Sequence, residues 1–175
     1  MAYFLASIIS IVAAFMILFT RYEADDSQIK ADLEHMKVMF SMVDGFVNTY
    51  INSGENMQDI NFEILEDRGI LLSNATVVGA GNSAVMTLPN SNVTWQLIPN
   101  KNDATSYKIL VDITRSSSLM SKSVFSESFI GREYCQKALF GSFETNTNSY
   151  NGTDDFVNSG GGTNSDGLFV CVVFK

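Results

Sequence analysis

Cys135 and Cys171 are the residues of this chain with the most chemistry to offer, and they are its only two cysteines. Two thiols can bond to each other, join a metal site, or stay reduced and buried. A zinc site needs further Cys or His ligands at short spacing. The single histidine, His35, stands far upstream of both cysteines, so no metal or cofactor is expected. Two alternatives remain, a Cys135–Cys171 disulfide or a pair of buried thiols. A bond would close a loop of about 36 residues and contribute about 4 kcal/mol on the chain-entropy estimate.

Other patterns lead away from catalysis. There is no Gly-x-Ser-x-Gly, phosphate-binding loop or His-Glu zinc helix. Gly79-Ala80-Gly81 is a turn without the rest of a dinucleotide fingerprint. Asp154, Asp155 and Asp166 sit in a Gly/Asn-rich stretch that lacks EF-hand spacing, and they read as a solvated loop. No catalytic residue is assigned, and the chain is not expected to be an enzyme. Asn74-Ala-Thr, Asn92-Val-Thr and Asn151-Gly-Thr match the N-glycosylation acceptor pattern. Such matches arise by chance in an Asn/Ser/Thr-rich chain, though all three fit exposed turns. A formal charge of -8 argues against contact with nucleic acid.

The elements that would position these residues divide the chain in two. Met1–Thr20 carries no charge and only Ser7, Ser10 and Thr20 as polar interruptions. At about 1.5 Å per residue, some 20 helical residues span about 30 Å, a bilayer core. The run continues without proline through Arg21–Ser53, where Ile29, Leu33, Met36, Phe40, Val43, Val47 and Tyr50 fall three and four apart. That is the period of one buried helical stripe. One long helix is therefore expected over Ala2–Ser53, apolar all round at first and amphipathic afterwards. Residues 1–24 would form a hydrophobic helix and 25–175 a globular head of about 150 residues, enough for one core.

The start of the chain poses a topology problem. No Lys or Arg precedes the apolar run, and no small-residue cleavage site ends it, so it reads as retained. Arg21, Lys30 and Lys37 follow it, which by the positive-inside rule would hold the head in the cytoplasm. A cysteine pair and a Ser/Thr/Asn-rich head argue for the other side. The conflict resolves if Met1 is a processed N-terminus and a basic leader has been removed.

The head reads as α+β. After a stop at Gly54, short β-like runs are predicted at Asn61–Leu65, Gly69–Leu72, Thr76–Val78, Ala84–Leu88, Val93–Ile98 and Tyr107–Thr114, in an antiparallel meander against the amphipathic half-helix. Ser116–Gly141 suggests a second, shorter helix, capped from Ser116–Ser118. Phe143–Gly167 reads as an exposed loop, and Leu168–Phe174 as a central final strand because both its faces are apolar.

An uncharged N-terminal segment running into an amphipathic helix, a β-rich head and a Cys135…Cys171 bracket together resemble the type IV pilins, above all the type IVb branch. The resemblance covers the chain as an architecture; its sequence-specific part is the N-terminal helix and the cysteine bracket. It implies a structural subunit whose leader is cleaved and whose new N-terminus is methylated. Such a subunit leaves the inner membrane through a pilus assembly machinery. It then packs with identical or related subunits in a helical homopolymer, an extracellular filament serving adhesion, motility, DNA uptake or conjugation. The filament core would be built from Phe4, Leu5, Ile8, Ile9, Ile11, Val12, Phe15, Met16, Leu18 and Phe19. The resemblance also implies that Cys135 and Cys171 bound an exposed variable region. One departure is Leu5, where family members usually carry Glu; some minor and tip subunits share that lack. Others are Ala14 and Tyr22, where many bacterial members have Gly and Pro. The alternative is a single-pass, membrane-anchored extracytoplasmic binding domain that does not polymerise.

Overall fold

The computed structural model describes residues 2–117, 119–120, 132, 134–144, 149–150, 155–157 and 167–175, with the helical side chains described at Met16, at Ser27 and from Ile29 onward. One helix, α1, runs unbroken over Ala2–Asn52, 51 residues or roughly 75 Å. Its interior holds no proline, and Gly45 is its only glycine. The stripe is fully buried from Met36 on, through Met39, Phe40, Val43, Phe46, Val47 and Tyr50. The helix stops where the sequence says it should. Gly54 adopts φ +86°, and its N–H bonds the Ile51 carbonyl at 2.9 Å. A left-handed residue just past the last turn is the ordinary glycine stop.

A short helix follows instead of the two strands predicted over Asn61–Leu65 and Gly69–Leu72. Helix α2 spans Phe62–Asp67, with Asn61 as its N-cap accepting the Ile64 N–H at 3.0 Å. Phe62 and Leu65, three apart, are its buried residues. At its end Gly69 has φ +67°, Gly69 N–H bonds Glu66 O at 2.8 Å, and Ile70 N–H bonds Leu65 O at 3.0 Å. That pair of bonds is a Schellman motif. The cap and the stop override the β-branched look of the run, and Gly69–Leu72 forms no strand.

Among the described residues there are eight strands: β1 Thr76–Val78, β2 Val85–Thr87, β3 Thr94–Pro99, β4 Ser106–Asp112, β5 Ser142–Glu144, β6 Ser149–Tyr150, β7 Phe156–Val157 and β8 Leu168–Phe174. Six form an antiparallel sheet in the order β1-β2-β3-β4-β8-β5, and β6 and β7 pair separately. β8 lies inside the sheet, between β4 and β5. The fold class is thus α+β.

The pairing register assigns side chains to two faces, since directly opposed residues share a face and neighbours along a strand alternate. Trp95, Val111, Ile109, Tyr107, Cys171 and Val173 share the inner face and belong to one buried cluster with Met36, Phe40, Val43 and Val47 of α1. Phe40 meets Trp95 edge-on, ring centroids 4.8 Å apart. Ile98, Leu110 and Val170 lie on the outer face.

One expectation about the later chain is corrected. Where described, Phe143–Gly167 is not all loop: β5 extends the sheet from β8, and β6 with β7 forms a hairpin. Phe143 and Phe156 are the apolar residues that draw those segments in; Phe156 is 2% exposed. Within Ser116–Gly141 the described residues show turns at Ser117, Leu119 and Met120, a helical residue at Arg132 and one π-helical turn, Tyr134–Ala138. The expected longer helix falls largely on residues 121–131, outside the described part.

Candidate functional site

The cysteines do bond. Cys135 and Cys171 form a disulfide with Cα atoms 5.6 Å apart, and both side chains are fully buried. Cys171 sits mid-strand on the inner face, opposite Ile109 on one side and Phe143 on the other. Cys135 comes from the π-helical turn, which the Gly141 N–H closes onto the Cys135 carbonyl at 2.9 Å. Gly141 has to be glycine because of how close the chains run there. A Cβ at that position would stand 2.5 Å from the Val172 carbonyl oxygen and 2.8 Å from the Cys171 Sγ. The residue before it, Phe140, takes φ +54° and is 83% exposed, an uncommon conformation for a bulky side chain. The Arg132 guanidinium lies 5.8 Å over the Phe143 ring.

From this inner-face bond the enclosed segment reaches the opposite face of the sheet. Phe156 packs with Ile98, Leu110 and Val170. Beside it the Lys108 ammonium donates to both Asp155 oxygens, at 2.8 and 3.1 Å. The Lys108 side chain is only 10% exposed and that of Asp155 38%. Asp155 Oδ1 also accepts the Phe156 N–H at 2.8 Å. Among its described residues the disulfide-bounded segment is held by the bond, by the β5 edge and by an outer-face clasp of a ring and an ion pair.

A second polar cluster centres on Asp44 of α1. Asp44 accepts from the Tyr107 hydroxyl at 3.3 Å and from Asn48 Nδ2 at 2.9 Å, and it pairs with the Lys175 ammonium. Burial pushes the Tyr107 phenol well above its ordinary value, and the Asp44 carboxylate adds to the shift. Tyr50 is also raised, chiefly by burial and then by Glu55 and Asp59.

The remaining sequence candidates scatter. His35 is exposed and shares a polar cleft with Asp32, Asn90, Ser91 and Ser116. Among the described residues no three His, Cys, Asp or Glu side chains are grouped to hold a metal ion. Asp155 is engaged by Lys108, while Asp154 and Asp166 lie outside the described residues. So do Met1 and Asn151, and the side chains of Phe4, Leu5, Ile8, Ile9, Ile11, Val12, Phe15, Leu18 and Phe19. Met16 alone of the filament-core set is described, at 67% exposure. Among the described residues no helix is long and apolar enough to cross a membrane; the expected span lies on side chains outside them. Asn74 and Asn92 are both exposed.

Sequence reasoning missed the clasp. Its one signal is a lysine inside an otherwise apolar strand, Tyr107-Lys108-Ile109-Leu110-Val111, which asks for a carboxylate on the same face. No family model, no curated protein and no solved structure matches this chain.

Proposed function

We propose that this chain is a structural subunit of a type IV pilus-like extracellular filament, polymerising through its N-terminal helix. The observation that carries the reading is α1: 51 unbroken residues, in which Met36 is the first fully buried side chain among those described. At 1.5 Å per residue, some 50 Å of helix precedes it. Its sequence over Met1–Thr20 is uncharged, so it seeks apolar surroundings, first the inner membrane and then other copies of itself. Ala2, Ala6, Ala13 and Ala14 leave room for close helix approach, and Phe4, Ile8, Ile11, Phe15 and Phe19 supply the packing. In this reading the amphipathic half-helix lies across the inner sheet face, as the Phe40–Trp95 contact and the Asp44–Tyr107 bond support. The disulfide-bounded segment would then face away from the filament axis. With Leu5 in place of the family's Glu, register among subunits comes from shape and from contacts higher up the helix.

The test is Ile11→Lys. An unpaired ion in an apolar core costs several kcal/mol, repeated in every subunit. Filaments should disappear from cells while the disulfide still forms. Normal filaments from that mutant refute the reading. A wild-type chain that stays monomeric in the membrane of cells with a working assembly machinery assigns it instead as an anchored binding domain.

A further inference from the structure

Two of the three acceptor sequences fall on described residues, and the structure treats them alike. Asn74 occupies a tight turn closed by the Ala75 N–H on Leu72 O at 3.0 Å. Asn92 follows the turn closed by the Ser91 N–H on Leu88 O at 3.2 Å. Pro89 and Asn90 are the central residues of that turn, and Asn90 takes φ +57° as a positive-φ third position requires. Both acceptor side chains are exposed, and neither makes a hydrogen bond among the described residues. Other asparagines contrast with them. Asn61 is 6% exposed and caps α2; Asn100 is 7% exposed and donates to Ser106 Oγ at 2.8 Å.

The hydroxyls at the second position after each Asn are placed together as well. Thr76 opens β1 and Thr94 opens β3. Register sets Thr76 opposite Thr87, and Thr87 opposite Thr94, so all three form one transverse row on the outer face. Asn74 and Asn92 line a single open groove beside that row. The Phe156 clasp covers the other part of this face, around Ile98, Leu110 and Val170.

We propose that Asn74 and Asn92 are N-linked glycan acceptors, whose sugars cover the end of the outer sheet face that carries the row of Thr76, Thr87 and Thr94. The inference rests on the export required by the function proposed above, because the sugar donor is lipid-linked and membrane-bound. In the transfer, the Asn carboxamide nitrogen attacks the anomeric carbon of a polyprenyl-phosphate-linked oligosaccharide. The C–N bond forms, the anomeric C–O bond breaks, and the polyprenyl phosphate leaves. The nitrogen loses one proton to solvent through the transferase. No redox partner is needed.

The experiment is glycopeptide mass spectrometry on the chain isolated from its native cells. Trypsin releases both acceptors in one peptide, Gly69–Lys101, since no Lys or Arg lies between Arg68 and Lys101. Electron-transfer fragmentation then places any sugar on a residue. Whole-sugar mass increments are expected on Asn74 and Asn92. Asn92→Gln and Thr94→Ala should each remove the increment at Asn92 and leave the one at Asn74. An unmodified peptide, or sugar on hydroxyls only, overturns the inference. The thiol state of the same sample separates the two readings. An unmodified peptide with Cys135 and Cys171 bonded sinks the glycans alone; free thiols count against export as well.

Discussion

Asp155→Asn isolates the outer-face clasp, because it deletes one charge while keeping the oxygen that accepts the Phe156 N–H. The Lys108 ammonium would stay in place, its side chain 10% exposed beside Ile98, Leu110 and Val170. Removing one partner of a fully buried pair costs about 3–5 kcal/mol where the other charge is left alone. Asp155 is 38% exposed and Lys108 keeps further interactions, so the expected loss falls to about 1–2 kcal/mol. Lys108→Met removes the ammonium and leaves a carboxylate that can turn toward water, so it should cost under about 1 kcal/mol. The pair Lys108→Met with Asp155→Asn removes both charges of the clasp and should cost less than the sum of the two single variants. Urea unfolding of the four proteins gives the coupling directly. Two single variants both within about 0.5 kcal/mol of the parent would refute the clasp. So would a double variant that costs the full sum of the two.

Other perturbations follow from the same geometry. Cys171→Ser should lower stability by about 2–5 kcal/mol, and thiol labelling of the native, unreduced protein should find neither cysteine. Gly141→Ala forces a methyl against the Val172 carbonyl and the disulfide sulfur. The expected cost is about 2 kcal/mol or more, read as a lower midpoint in thermal unfolding. Tyr107 sets an alkaline limit. Its phenol is held neutral when folded but ionises near its ordinary value of about 10 when unfolded, so the unfolded state binds fewer protons above that pH. Stability should be full below about pH 10 and fall as pH rises beyond it. Tyr107→Phe should flatten that fall in pH-dependent unfolding.

What could be read from the sequence was local. The stripe from Met36 to Tyr50, the stop at Gly54 and the strand character of β3 and β4 each depend on residues within a few positions of one another. The central place of β8 followed from its two apolar faces. Asn61–Leu65 was misread because a short apolar run has no period of its own. The deciding evidence, an asparagine cap and a glycine stop, lay at its flanks. The clasp was out of reach for a different reason. Lys108 and Asp155 are 47 residues apart, and Asp44 and Lys175 are 131 apart. Neither partner's sequence neighbourhood names the other. Phe156 lies in a polar tract of the sequence, and only the register of β3, β4 and β8 puts an apolar patch beneath it.

The strand order also sets a timetable. Among the described strands β8 is made last, yet it sits between β4 and β5. Until it emerges, β4 has a bare edge and β5 has no partner in the sheet. Asp112 must then find Leu168 across about 55 residues, an entropic cost of order 3.5 kcal/mol met before any contact is returned. Cys171 rides on the same strand, so the thiol pair is also incomplete until then. A chain threaded through a membrane from its N-terminus would therefore travel with its head unfinished. It would snap shut only when the final strand slid in, with the zip of β8 and the closing of the bond as one late event.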